Sequence, residues 1–267
     1  MRIEEKPLTN WINHFYGYGS WKARFWFVGY EESGGDLPEE VAEKINYFYT
    51  LRSITPTLCD IRELYRHVTF RIEGPRAEKF ATFHDHRFGK KATLHGAWKN
   101  IIAFVHGYKS EKLPDLLAYQ QNLFAVLSAQ TEALIPLYPL PAHNHAWYYA
   151  WLDLPQLPYL KSRTLYQEHL YAGRMRTMLE LMRVHKPEVV MLYGMENINQ
   201  LKKSIQEFFP AAAFKMVKAI KQHLPQHHRA DVNGTTLILT TQIPALRHNR
   251  METGFDWYAF GKQVKGI

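Results

Sequence analysis

The stretch Arg24–Glu40, RFWFVGYEESGGDLPEE, decides the fold. Its apolar run from residue 25 to 28 predicts a buried strand that ends at Gly29. The letters DLPE from Asp36 predict a helix start, with an aspartate N-cap, an early proline and a capping-box glutamate. A strand, a glycine-containing loop and a helix is the arrangement of phosphate-binding loops. This loop, however, contains five carboxylates: Glu31, Glu32, Asp36, Glu39 and Glu40.

The carboxylates argue against a bound phosphate. A Walker loop needs a lysine after its glycines, and none follows Gly34-Gly35; the dinucleotide fingerprint needs a different glycine spacing. At an effective dielectric constant of about 20, two like charges about 4 Å apart cost on the order of 4 kcal/mol. A carboxylate at a strand tip instead suits a general base for water, or a group that stabilises positive charge. Glu31 is the candidate, with an ordinary loop acid as the alternative, whereas the other four acids suit the helix N-terminus.

Three further apolar runs predict buried strands, at Ala133–Tyr138, Glu188–Tyr193 and Thr235–Thr241, and a weaker one lies at Ala213–Val217. Helical patterns alternate with them, from Asp36 to Phe48 and at Ala97–Phe104, Leu116–Leu127, Leu170–Val184 and Asn197–Phe208. This order predicts a doubly wound, three-layer α/β fold with a central, mostly parallel four-stranded sheet flanked by helices. We expect one domain over residues 1–267, with a charged insertion at about 55–91.

The composition narrows the class of protein. The 267 residues carry a formal net charge of +8, which favours an anionic partner, most simply DNA; a solvated basic surface is the alternative. The single cysteine, Cys59, excludes an intrachain disulfide, a cysteine-ligated cluster and a cysteine zinc site. The first residues contain no apolar signal-peptide core and no run approaches 18 apolar residues. We therefore expect a cytoplasmic protein, monomeric, without a membrane partner or a cofactor.

Five segments, in order, resemble the uracil-DNA glycosylase superfamily. FWFVGYEESGGD (25–36) is similar to the first family loop, GQDPYH or GEAPG-x-x-E/D, and TLHGAWKNII (93–102) to FVGxAGxLL. LIPLYPLPAHN (134–144) is similar to NVVKCRPPxNR, a strand that opens into a proline-rich loop. MLELMRVHKPEVVMLYGMEN (178–197) resembles the family's helix, KP, strand and glycine, and LILTTQIPALRHNR (237–250) lies where the family has HPSxxxR.

The resemblance implies a monofunctional DNA glycosylase. Such an enzyme flips a nucleotide into a pocket and breaks the N-glycosidic bond through a cationic sugar that water captures. Glu31 falls on the aspartate of GQDPYH, which implies that it orients the water and stabilises the sugar cation. Gly29 and Tyr30 fall beside the base. The family's stacking aromatic falls on Leu94 or His95, with Phe88 and Trp98 as alternatives.

Two family residues that contact the base are missing. The predicted strand at 133–138, which provides Pro136 and Tyr138 as pocket candidates, lacks the asparagine that reads uracil in the family. The histidine of HPS is replaced, and Gln242 is the neutral donor nearest to its position. These departures suggest an alternative substrate, a bulky modified cytosine such as glucosylated hydroxymethylcytosine in phage DNA, excised for defence rather than repair. A catalytically idle DNA-binding module is a further alternative, whereas a serine hydrolase lacks its GxSxG motif.

The remaining predicted contacts are polar. The loop Arg247, His248, Asn249 and Arg250 matches the family's minor-groove loop, with Arg247 or His248 as the wedge. Lys161, Arg163, Arg174 and Arg176 are candidates for phosphate contacts, and a basic surface is the alternative. His143 and Asn144 follow the predicted strand at 133–138 and are pocket candidates. The histidine pairs match no zinc spacing, so we expect no metal, and one cysteine cannot hold the iron–sulfur cluster of one family branch.

Overall fold

The computed structural model describes residues 3–34, 37–71, 80–142, 147–220, 223–244 and 255–266. The strands are β1 Phe15–Tyr18, β2 Phe25–Glu31, β3 Thr57–Cys59, β4 Glu132–Tyr138, β5 Val189–Tyr193, β6 Lys215–Val217, β7 His227–Val232 and β8 Thr235–Thr240. The helices are α1 Glu5–His14, α2 Pro38–Thr50, α3 Ile61–Arg66, α4 Phe83–Phe88, α5 Gly96–Lys109, α6 Leu116–Asn122, α7 Arg163–His185, α8 Ile198–Phe208 and α9 Trp257–Gly266. Short 3₁₀ helices lie at Tyr148–Leu152 and Pro158–Lys161.

The strands form a single sheet in the order β3-β1-β4-β2-β5-β8-β7-β6. Its centre, β4-β2-β5-β8, consists of the four strands predicted from apolar runs, and all three of these pairings are parallel. The α/β class is therefore confirmed, but the four-stranded sheet is wrong. The described residues form eight strands, and the sheet is mixed because β1 pairs antiparallel with β4, β7 with β8, and β6 with β7.

The four additional strands gave little signal in the sequence. β7 has the polar sequence HHRADV, and β1 follows α1 without a turn residue between them. β3 is three residues long and lies inside the predicted insertion at 55–91, where it pairs in parallel with β1. Part of that charged segment thus forms one edge of the sheet. β6 covers the last three residues of the weak strand predicted at 213–217.

The central strand β2 is covered by helices on both faces. Phe27 packs edge-on against Phe104 of α5, with ring centroids 5.8 Å apart. The neighbouring residue Trp26 faces the other way, and its ring lies 6.4 Å from His185 of α7. After β2 the chain forms β3 and then β4 on one side of it, and it returns through α7 to β5 on the other side. Connections that diverge in this way open a crevice at the carboxyl ends of the strands, where ligands bind in open α/β sheets.

A buried arginine joins β1 to β4. The two strands share only the Tyr18–Leu134 pair and then separate. Arg174 of α7 fills the gap: its guanidinium donates to the carbonyl oxygens of Phe15 at 3.0 Å, Pro136 at 2.9 Å and Leu137 at 2.7 Å. Its charge also lies over the Tyr16 ring, 3.8 Å from the centroid. Arg174 is 4% exposed, so the prediction that it contacts phosphates is wrong.

Helix boundaries differ from the prediction at three places. α2 begins at Pro38 with Leu37 at the N-cap, and Asp36 lies outside the described residues. α6 ends at Asn122 rather than at 127. α7 begins at Arg163, seven residues before the predicted start at Leu170, because Ser162 caps it by accepting from the Leu165 N–H at 3.2 Å. Among the described residues, no helix has the length and apolar character needed to cross a membrane.

Candidate functional site

Two cavities lie at the carboxyl end of β2, at the crevice that the topology predicts. The smaller, of about 90 Å³, is lined by Gly29, Glu31 and Glu32, by Tyr193 of β5, and by residues of β4 and the start of α5. The larger, of about 520 Å³, is lined by Tyr30, Arg163, Thr164, Gln167, Gly194, Glu196 and Asn197. The consecutive residues Tyr30 and Glu31 therefore belong to different cavities.

Glu31 is held by the first turns of α7. Arg163 donates from Nε to Oε1 at 2.8 Å and from Nη2 to Oε2, and Gln167 donates from Nε2 to Oε1 at 2.7 Å. The bidentate contact fixes the plane of the carboxylate. A carboxylate has about four acceptor positions. Among the described contacts Oε1 uses two and Oε2 one, so Oε2 retains capacity to accept a hydrogen bond from water.

Glu32 is buried at 6% exposure and forms a second polar cluster. The Tyr18 hydroxyl donates to its Oε1 at 2.6 Å, and Lys44 of α2 approaches the same oxygen at 3.4 Å. Lys44 has a shorter contact, 3.0 Å, with the carbonyl oxygen of Ser33. Burial raises the pKa of the Glu32 carboxyl, and the charge of Lys44 and the hydrogen bond from Tyr18 offset this only in part. A protonatable carboxyl thus lies in the wall of the smaller cavity.

His95 faces the same cavity as a neutral ring. It is the N-cap of α5, and its Nδ1 accepts the backbone N–H of Trp98 at 3.4 Å. Burial, together with the charge of Arg87, lowers the pKa of His95 to about 3. The imidazole is therefore uncharged near pH 7, and with Nδ1 as the acceptor we assign the proton to Nε2. The ring stacks on Trp98, with centroids 4.5 Å apart, which fixes its orientation.

Gly29 and Tyr193 lie close together in the wall of the smaller cavity. A Cβ atom placed on Gly29 would lie 2.9 Å from the Tyr193 hydroxyl oxygen and 3.2 Å from Cζ. The tyrosine ring therefore occupies the space that any side chain at position 29 would need. Pro136 of β4, opposite Gly29 in the register, also lines the cavity.

The structure brings together part of the predicted site. Gly29, Glu31, His95 and Pro136 line the smaller cavity, as does Trp98, one of the alternative stacking residues. Tyr30 lines the larger cavity, and Tyr138 packs against its ring edge-on at 5.2 Å.

Other predicted residues lie elsewhere. Leu94 is 37% exposed, and neither it nor Gln242 is among the described residues lining the two cavities. The Gln242 carbonyl oxygen accepts the N–H of Gly194 at 3.1 Å. Lys161 is exposed, whereas Arg163, predicted to bind phosphate, pairs with Glu31. Six predicted site residues lie outside the described residues: His143, Asn144, Arg247, His248, Asn249 and Arg250.

The sequence did not identify Glu32, Tyr18, Lys44, Tyr193 and Gln167 as residues of the site. The helical spacing did contain one signal, for Lys44. This lysine lies on the same buried face of α2 as Val41, Ile45 and Phe48. A lysine on a buried helix face requires a partner, and an acid near the start of that helix is the nearest choice. Within the described parts of the chain, no group of three or more histidine, cysteine, aspartate or glutamate side chains is arranged to hold a metal ion.

No protein-family model matches the chain, and comparison with the curated proteins and with the solved structures likewise found no match. The residues of the site and the similarity of the five sequence segments therefore carry the functional proposal.

Proposed function

We propose that the protein is a monofunctional DNA glycosylase, which hydrolyses the N-glycosidic bond of a flipped-out base and leaves an abasic site. One observation carries the proposal: Glu31, an oriented carboxylate at the tip of the central strand, lines a cavity at the carboxyl edge of the sheet. The net charge of +8 suits a phosphate backbone, and exposed Lys161 lies two residues before Arg163, the first residue of the helix that holds Glu31.

In the proposed reaction, the bond from sugar C1′ to the base nitrogen breaks and its electron pair leaves with the base. The sugar becomes an oxocarbenium-like cation, which the Glu31 carboxylate stabilises across the cavity wall. A water molecule adds to C1′ and gives its proton to Oε2 of Glu31, the oxygen with acceptor capacity. Arg163 and Gln167 are positioning residues, because they orient the carboxylate without reaching the sugar.

The departing base gains negative charge, which an uncharged N–H donor stabilises without first binding a proton. His95 suits this role better than Gln242, because it lines the cavity and its Nε2–H has no acceptor among the contacts of the described residues. A fixed donor in a site that excludes water contributes more than it would in solution. The cavity of about 90 Å³ favours a single-ring base over a purine.

A second candidate substrate is supported by the larger cavity. Its volume of about 520 Å³ is in the range of small-molecule sites, and its lining includes charged and amide side chains. A sugar attached to the base would find hydrogen-bonding partners there. This observation favours a bulky modified cytosine, such as the glucosylated hydroxymethylcytosine of phage DNA, as the alternative to a uracil-like base.

The test is base release from defined duplexes. Oligonucleotides that carry uracil, hydroxymethylcytosine, glucosylated hydroxymethylcytosine or hypoxanthine are incubated with the protein, and alkali then cleaves any abasic site. We expect cleavage of at least one pyrimidine substrate, and a loss of about 10²–10⁴-fold in rate for Glu31→Gln. Glu188→Gln is the matched control, because Glu188 pairs with Arg24 at the opposite end of the sheet. No strand breaks on any duplex, with DNA binding retained, would instead identify a catalytically idle binding module.

A further inference from the structure

We infer that Glu32 reads the edge of the flipped base and selects a base with an exocyclic amino group, of the cytosine type, over a uracil-type base. This inference rests on the proposed function and specifies its substrate class. It assigns to Glu32 a role in specificity that is distinct from the role of Glu31 in the reaction.

The geometry separates the two acids. Glu31 and Glu32 are adjacent in sequence, yet Arg163 of α7 holds the first and Lys44 of α2 lies beside the second. Both side chains line the smaller cavity. Glu32 is the more buried, with its side chain 3% exposed against 10% for Glu31. A group that reads a base edge belongs at this deeper position, because the edge enters the pocket ahead of the sugar.

Pairing with Lys44 does not by itself explain why an acid is buried at position 32. Its ammonium group lies closer to the Ser33 carbonyl oxygen, at 3.0 Å, than to Glu32 Oε1, at 3.4 Å. The closest partner of the carboxyl is the neutral Tyr18 hydroxyl at 2.6 Å, and both contacts are made to Oε1. Tyr18 and Lys44 thus hold Oε1 of Glu32. Burial raises the pKa of this carboxyl, and against that effect the charge of Lys44 and the hydrogen bonds from Tyr18 and the Ser33 N–H all favour the carboxylate, which is an acceptor.

An acceptor at this position discriminates between pyrimidines. The amino group of a cytosine-type base donates to a carboxylate, which is how acidic side chains read cytosine. A uracil-type base presents one N–H between two carbonyl oxygens, and these repel a carboxylate. Uracil is read by a side-chain amide, which both donates and accepts, and the β4 segment Leu134–Tyr138 contains no amide side chain. A buried polar group left without a partner is the usual origin of strong discrimination.

The experiment measures binding without chemistry. Duplexes carry 2′-fluoro-2′-deoxycytidine or 2′-fluoro-2′-deoxyuridine, whose glycosidic bonds resist hydrolysis because fluorine destabilises the sugar cation. Each is placed opposite a tetrahydrofuran abasic analogue, so that base-pairing strength does not contribute. Fluorescence anisotropy gives the ratio of the two dissociation constants. We expect the wild type to bind the cytidine duplex about tenfold or more tightly than the uridine duplex.

Glu32→Gln replaces the acceptor with an amide of the same size, so the preference should disappear or reverse. Glu132→Gln is the matched control, because Glu132 is also buried and also accepts from a tyrosine hydroxyl, Tyr119 at 3.1 Å. Its ratio should equal that of the wild type. A wild-type preference for uridine, or an unchanged ratio in Glu32→Gln with a native circular dichroism spectrum, would overturn the inference.

A second variant covers the case in which Glu32→Gln does not fold. Glu32→Asp keeps the charge but withdraws the carboxylate by one methylene, so the cytidine preference should weaken without reversing; a ratio equal to that of the wild type would overturn the inference.

Failure of the proposed hydrolysis can be distinguished from failure of the reading role of Glu32. A ratio that depends on Glu32 without base release from any duplex supports the reading role and rejects the hydrolysis. Base release together with a ratio that does not depend on Glu32 supports the hydrolysis and rejects the reading role. If neither duplex binds, both the reading role and the hydrolysis are rejected.

Discussion

The guanidinium of Arg163 lies edge to edge with the carboxylate of Glu31, with Nε 2.8 Å from Oε1 and Nη2 against Oε2. This pair joins the first residue of α7 to the last residue of β2, across 132 positions of sequence. Both side chains are largely buried, at 26% and 10% exposure. The residue predicted to contact phosphate is therefore the one that orients the predicted catalytic acid.

Arg163→Lys should lower the rate of base release by on the order of 10²-fold. Lysine keeps the positive charge but cannot make the two parallel hydrogen bonds, so the carboxylate gains freedom to rotate. Single-turnover assays at saturating protein measure the step on bound DNA. Arg24→Lys, which changes the ion pair to Glu188 at the far end of the sheet, is the control and should leave the rate unchanged. An equal loss in both variants would contradict the orienting role of Arg163.

Arg174→Met should destabilise the fold by about 3 kcal/mol or more. Three carbonyl oxygens, of Phe15, Pro136 and Leu137, would lose their donor in the interior, and each unsatisfied group costs about 1–3 kcal/mol. Urea unfolding followed by tryptophan fluorescence gives the change. Arg176→Met, two residues along the same helix, alters an exposed pair with Glu180 and should cost less than about 1 kcal/mol. Similar midpoints for the two variants would show that Arg174 does not hold β1 to β4.

The sequence was informative where burial is continuous. β2, β4, β5 and β8 are buried along most of their length, so their apolar runs identified them. Their parallel pairing followed from the helices between them. The outer strands carry polar or short sequences, and only the pairing with a neighbour makes them strands. Strand topology also predicted where the two cavities lie, since the carboxyl ends of β2 and β5 border both of them.

The partners within the site could not be predicted, because they depend on tertiary contacts. Glu31 and Glu32 have the same chemistry in adjacent positions, and nothing local indicates that one meets α7 and the other α2. The environment of His95 was equally hidden. The family resemblance suggested base stacking at this position, whereas the Nδ1 contact with the Trp98 backbone and the burial of the ring favour a neutral imidazole with its proton on Nε2.

Gly29→Ala should weaken the binding of the flipped base. The double variant Gly29→Ala with Tyr193→Phe should recover most of the lost affinity. The added methyl group meets the Tyr193 hydroxyl oxygen at 2.9 Å, and removing that oxygen relieves the shorter of the two close contacts. The ring carbon at 3.2 Å remains, so the recovery is partial. Dissociation constants for a duplex with a 2′-fluoro nucleotide complete a double-mutant cycle. Additive effects of the two substitutions would show that the residues do not compete for space.

Glu132 should make the stability of the protein depend on pH. The side chain lies at the start of β4, away from the cavities, and accepts from Tyr119 at 3.1 Å and from the Ala125 N–H at 3.2 Å. Burial, offset only in part by these hydrogen bonds, raises its pKa to about 7 in the folded protein. In the unfolded chain the pKa is about 4.3. Between these values the folded protein holds a proton that the unfolded chain has lost, so the free energy of unfolding decreases as pH rises through this window.

Glu132→Gln removes this proton and should abolish that contribution, which is on the order of 3 kcal/mol between about pH 4.5 and 7.5. The informative quantity is the difference in unfolding free energy between the variant and the wild type, measured by urea denaturation at several pH values. As pH rises, this difference should shift so that the variant becomes more stable relative to the wild type. Any fixed cost of placing an amide at position 132 is the same at every pH and does not affect the trend. Glu180→Gln, an exposed acid of α7, is the control and should show no trend. A difference for Glu132→Gln that stays constant from pH 5 to pH 8 would mean that the carboxyl is already ionised in the folded protein at pH 5.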